Sequence, residues 1–209
     1  MRWTTLAAGV AVVAAVLAGC SQESPGTPSP PGQDTGAPQD GSVPGLPNSG
    51  APKVPAPIAD TSRWEADPCS VISNEQFSGA GLTIRRTTPD MDTPGGVSCD
   101  WAIEGGGSFG GTFITKSRFG LSAIYGNNGS TPFDHFQPIA PIEGHPAVEA
   151  MSNNTPADRQ CAISVGLRDD LTYKVGIIST DEEDPQGAEP CRWAATIAGL
   201  AVQTMKQGG

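Results

Sequence analysis

The 209-residue sequence predicts an α+β fold, an antiparallel sheet of about five strands with N- and C-terminal helices packed on it and two disulfides. Three observations carry that expectation. Cys161, Ile163, Val165 and Leu167 alternate with their neighbours, and beyond Asp169-Asp170 the alternation resumes at Leu171, Tyr173, Val175 and Ile177, the period of two that marks half-buried strands. Towards the C-terminus the period changes, and Ala194, Ile197, Ala198, Ala201 and Met205 fall on one face of a helix. Finally, the region after residue 60 holds four cysteines, an even number, at 69 and 99 and again at 161 and 191.

Taken in order, the chain opens on a short charged-then-apolar segment. Arg2 is its only charge, and Leu6 to Ala18 is an unbroken run of Ala, Val, Leu and Gly. That run suits a signal-peptide core and falls short of the roughly 20 residues a hydrocarbon span needs. Leu17-Ala18-Gly19-Cys20 closes it and reads as a bacterial lipobox. Residues 1–19 are then a lipoprotein signal peptide, and Cys20 becomes the acylated first residue of the mature protein. Two or three acyl chains anchor far better than one, since each buried methylene contributes about 0.8 kcal/mol. The expected partner of Cys20 is therefore the lipid bilayer, with the domain on the extracytoplasmic face of the cell membrane.

Residues 20–60 hold ten of the twenty prolines, with Gly, Ser, Thr and Gln between them and no periodicity. Such a composition buries too little to offset its ordering entropy and predicts a disordered tether. As a flexible coil of about 40 residues it would average on the order of 35 Å end to end. The Thr27-Pro28-Ser29 neighbourhood is a composition that accepts sugars. Residues 61–209 are the size of one domain with one core.

Within that domain, Ser73-x-x-Gln76 is a capping-box pattern ahead of a short helix through Phe77, stopped at Gly79 and Gly81. Val97 to Ile103 and Phe109 to Thr115 read as strands joined by Gly105-Gly106-Gly107, with Gly110-Gly111 marking a bulge or an edge. Arg118 to Tyr125 reads as a helix ended by Gly126-Asn127-Asn128-Gly129, and Gly144 to Val148 as a turn into a strand that leaves His145 exposed. Glu189-Pro190 then opens the last helix, an acidic residue and a proline where both are favoured.

The four cysteines admit three connectivities. Cys69–Cys99 with Cys161–Cys191 is the preferred one, because each bond then ties a helix start to a nearby strand. A zinc site is disfavoured, since C-x-x-C spacing is missing and the chain has two histidines, so no metal and no cofactor is expected. Composition narrows the partners further. Removing the signal peptide removes Arg2, so a net charge of -10 becomes -10 minus 1, or -11. Nucleic acid demands a basic face, and this chain is not a candidate for it.

The chain offers little for catalysis. Asp134-His135 are sequence neighbours, which does not place them for a triad, and no G-x-S-x-G elbow occurs. Gly105 to Gly107 joins two strands, whereas a phosphate cradle leads into a helix. Asp181-Glu182-Glu183-Asp184 lacks the spaced ligands of a calcium loop and reads as a solvated charge run. Trp101 and Trp193 read as packing beside the staple cysteines rather than as a ligand cleft. No catalytic residue is expected.

The lipobox and Pro-rich tether are followed by Asp67-Pro68-Cys69-Ser70, Cys99-x-Trp101, Gly144 to Val148, Cys161, and Cys191 opening the last helix. In that order they resemble the actinobacterial lipoproteins of the domain of unknown function 3558 family, over about Ala66 to Met205. The resemblance implies one exported α+β domain stapled by disulfides, and implies no activity. The expected function is that of a membrane-anchored envelope lipoprotein with a non-catalytic domain that binds an envelope protein. The alternative is a carrier or sensor of a small apolar ligand such as a lipid.

Overall fold

The structure, a computed structural model, describes residues 43–152, 159–178 and 189–208. Cys20, the signal peptide and the acidic loop 181–184 lie outside the described residues. The elements run α1 (Ser62–Ala66), a 3-10 turn (Pro68–Val71), α2 (Asn74–Gly79), β1 (Ile84–Asp90), β2 (Val97–Ile103), β3 (Ser108–Phe113), α3 (Gly120–Ser130), β4 (His135–Ile142), β5 (His145–Met151), β6 (Gln160–Arg168), β7 (Leu171–Ile178) and α4 (Pro190–Gly208). The fold is α+β, but the antiparallel sheet has seven strands, in the order β1-β2-β3-β7-β6-β5-β4, rather than about five.

The two extra strands are the edges, and their composition explains why they are hard to see. β1 is exposed along nearly its whole length and carries Pro89. β4 carries Pro138 and Pro141. Neither presents one buried face, so neither alternates. Proline, which cannot donate to a ladder, is at home on an edge and blunts it against pairing with other chains.

The strands called from alternation share one buried face. Register places Cys99 and Trp101 of β2, Phe109 and Phe113 of β3, Tyr173 and Val175 of β7, and Cys161 and Ile163 of β6 on the same side. Helix α4 packs there against β6 and β7, and Ala194, Ile197, Ala198, Ala201 and Met205 are fully buried, as their spacing predicts. Phe77 of α2 joins the same core, 5.7 Å from the Trp101 ring and 5.5 Å from Phe109, while Trp101 and Phe109 stack at 5.2 Å. The capping box at Ser73 and Gln76 is formed, both side chains bonding the reciprocal backbone amides.

Three local expectations are corrected. Gly110-Gly111 lie in β3, an interior strand rather than an edge. A Cβ at Gly111 would run into the Tyr173 hydroxyl and crowd Trp101, so the glycine makes room for two aromatics. Helix α3 does not stop at Gly126 but runs through Gly129 to Ser130, whose hydroxyl donates to the Gly126 and Asn127 carbonyls, while the Tyr125 ring packs edge-on against Phe136 of β4. Part of the tether is also docked. Val54 and Ile58 are buried, the Val54 amide donates to Asp169 Oδ1 at 2.8 Å, and the Ile58 amide donates to the Leu167 carbonyl at 3.0 Å. Two isolated apolar anchors in a Pro-rich stretch leave no periodic signal. The hairpin turn at Gly105 to Gly107 is as expected, all three residues taking positive φ.

The Tyr173 hydroxyl is buried without a hydrogen-bond partner among the described residues, and burial pushes its pKa above the ordinary value. An orphaned buried hydroxyl costs about 1–3 kcal/mol. Tyr173→Phe is therefore expected to leave the domain as stable or to stabilise it by about 1 kcal/mol in chemical denaturation. A loss of stability would reveal a partner for the hydroxyl.

Candidate functional site

The sheet has a second face, and what covers it divides it in two. At one end, Gly166 and Thr172 are buried, and a Cβ at Gly166 would press on Val54 and Leu121, so the docked strap and α3 lie over this end. A buried ion cluster fastens it. The Asp170 carboxylate, 1% exposed, accepts from Arg118 Nε and Arg168 Nε, each at 3.1 Å. Arg168 also donates towards the carbonyls of Ile58 and Ala59 and the Thr61 hydroxyl. Burial would raise the Asp170 pKa, but hydrogen bonds from Arg118 and Arg168 and their positive charges outweigh it and hold the group below the usual carboxylate value. Asp169 and Asp170, read from the sequence as a plain turn, thus grip the chain arriving from the N-terminal side.

At the other end the face is exposed among the described residues. Asp100, Gly110, Gly176 and Ala162 stand in one row across β2, β3, β7 and β6, flanked by Ala102, Ser108 and Ile178. Ile178 is 56% exposed, one of three large apolar side chains so exposed among the described residues. Burial first, and the nearby Asp90 charge second, raise the Asp100 pKa. Gly110, Gly176 and Ala162 make the row itself shallow, while exposed Arg86, opposite Ala102, and Lys174, in the adjoining row, stand on the same side.

The sequence-predicted cysteines pair as preferred, Cys69 with Cys99 and Cys161 with Cys191. The first ties the 3-10 turn to β2, the second ties α4 to β6. Trp101 is buried in the aromatic core, and Trp193 packs at its margin with the Arg192 guanidinium 5.2 Å from its ring.

His145 is not an exposed loop residue. Glu143 and Gly144, at φ 52° and 83°, form the two-residue turn between β4 and β5, so His145 begins β5. It is 1% exposed and its Nδ1 donates to the Gly166 carbonyl at 2.9 Å. His135 Nε2 lies 2.9 Å from Glu149 Oε2. Glu149 was missed from the sequence, although the alternation of β5 puts it on the same side as Ala147 and Met151, facing Ile163 of β6. Its carboxylate lies close to the Cys161–Cys191 pair.

No helix among the described residues is long and apolar enough to cross a membrane. A family model described as protein of unknown function (DUF3558) matches residues 15–204. No curated protein and no solved structure matches the chain.

Proposed function

Because the chain belongs to the DUF3558 family of proteins of unknown function, we propose from its own residues that it is a membrane-anchored cell-envelope lipoprotein. Acylated Cys20 holds it to the extracytoplasmic face, and its domain binds an envelope protein without catalysis. The observation that carries this reading is the division of the second sheet face. The arriving chain is clamped over one end by Asp170, Arg118 and Arg168, while the row from Asp100 to Ala162 beside exposed Ile178 stays clear of the strap. A tethered domain with a shallow row of small residues beside an exposed isoleucine, flanked by Arg86 and Lys174, is suited to docking rather than to turnover. A photo-crosslinking residue at position 178 is expected to capture one envelope protein, and Ile178→Asp to abolish that adduct. Capture equal to that of a probe on exposed α4 would remove the support for this face.

A second reading, a carrier of a small apolar ligand held between sheet and α4, draws on the orphaned Tyr173 hydroxyl in that core. Native mass spectrometry of the domain, released from its own membranes by cutting the tether, separates the two. The docking reading predicts a bare polypeptide four hydrogens light for two disulfides. A retained mass that fragments as a lipid would favour the carrier.

A further inference from the structure

The two staples close loops of equal length, 30 residues each, yet their surroundings differ. Glu149 brings a carboxylate oxygen to the Cys161–Cys191 pair, and the oxygen and both sulfurs lie within 4.8 Å of one another. Among the described residues this is the only group of three metal-ligating side chains so close together. The Glu149 side chain is 16% exposed and stands in the buried row of β5, where an apolar residue would pack against Ile163 at lower desolvation cost. A disulfide offers a carboxylate no hydrogen-bond donor. The oxidised staple therefore offers Glu149 no partner, and the hydrogen bond its carboxylate makes is to His135 on the neighbouring strand.

We propose that Cys161, Cys191 and Glu149 form a redox-gated site for a divalent metal ion of the zinc class, closed as a disulfide and opened by reduction. The gating step transfers two electrons. A dithiol reductant is oxidised to its own disulfide while Cys161 and Cys191 become thiols, and the arriving cation displaces one proton from each. Two thiolates and a carboxylate are three protein ligands for zinc, with the fourth tetrahedral position left to water. Zinc–sulfur bonds of about 2.3 Å and zinc–oxygen bonds of about 2.1 Å set ligand atoms roughly 3.5 Å apart, so on reduction the two sulfurs part by roughly 1.5 Å and the carboxylate moves in by up to about 1 Å. His135, bonded to Glu149 Oε2, is the positioning residue that orients the carboxylate from behind. The missing C-x-x-C spacing does not matter, because the sheet and α4, rather than a local loop, bring the ligands together.

The test uses the full chain with Cys20→Ser, reduced by a phosphine that leaves both staples as thiols, and titrated without air with Co2+ and then Zn2+. The expected result is one Co2+ per chain with thiolate-to-cobalt charge-transfer absorption, displaced by Zn2+. His135→Ala should weaken Co2+ binding by about 10–100-fold, and Glu149→Gln by at least as much. The Cys69→Ser/Cys99→Ser variant should keep the absorption. Binding to Glu149→Gln as tight as to the parent would overturn the proposal, as would absorption that persists in Cys161→Ser/Cys191→Ser. A reduced chain that takes up no metal and stays unfolded by circular dichroism in excess Zn2+ would overturn it equally. Glu149→Gln keeps all four thiols, so it carries the test even where a cysteine variant fails to fold.

Discussion

Asp170→Ala is expected to lower the stability of the domain by about 3 kcal/mol, at the low end of what breaking a buried ion pair costs. The carboxylate is almost fully buried and serves two guanidinium groups, and Arg168 in turn reaches the strap at Ile58, Ala59 and Thr61. Arg118 is more than half exposed and recovers water when the carboxylate is lost, which keeps the cost from rising higher. Arg168, at 22% exposure, recovers less. The variant should also release residues 43–60 to proteolysis before the core unfolds, a readout that a simple core defect would not give. Equal protease resistance in the two proteins would show that Asp170 does not hold the strap.

The pH dependence follows from the direction of the shift. A depressed folded-state value means that the carboxylate contributes stability above its unfolded pKa of about 3.9, and that this contribution is lost as pH falls through the lower folded value. The gap between the parent and Asp170→Ala should be full near neutrality and close below about pH 4. Asp100 works in the opposite sense. Its raised pKa means its ionised form costs stability at neutral pH, a cost that protonation relieves as pH falls. Asp100→Asn should therefore be mildly stabilising at pH 7.

Removing the Cys69–Cys99 bond as Cys69→Ser/Cys99→Ser is expected to cost about 3–4 kcal/mol, from the entropy released to a 30-residue loop in the unfolded chain. For a domain of this size that is a fall of about 10 °C in melting temperature. The bond holds the 3-10 turn, and with it Val71 and α2, against β2. The single Cys69→Ser variant adds a buried free thiol at Cys99, which is fully inaccessible. Since both loops have equal length, chain entropy alone predicts equal losses for the two double variants. A fall of less than about 1 kcal/mol for the first would mean that the docked turn already orders that loop without its bond.

What could be read from the amino-acid order was whatever one buried face writes into it. β2 begins and ends at Val97 and Ile103 as expected, the β6–β7 hairpin turns at Asp169-Asp170, and the alanine stripe of α4 is fully buried. Cysteine parity and spacing led to the correct pairing because each bond joins a helix start to a strand nearby. β1 and β4 escaped because an edge strand faces water and carries no alternation. Helix α3 passes through Gly126 to Gly129, next to a tertiary contact of Tyr125 with Phe136 that local propensity does not record. Glu149 was legible in principle, as a carboxylate at an apolar position of a strand, but its closeness to Cys161 and Cys191 depends on which strand pairs with β5.

Local order thus determined the class of fold, the main hairpins and the two staples, since periodicity and loop length act over neighbouring residues. Only the tertiary structure decided that residues 43–60 dock, that Arg118 meets Asp170 across 52 residues, and that Glu149, bonded to His135, lies close to a disulfide. Those contacts are made by strand register and by single side chains, and a one-dimensional pattern holds no record of either.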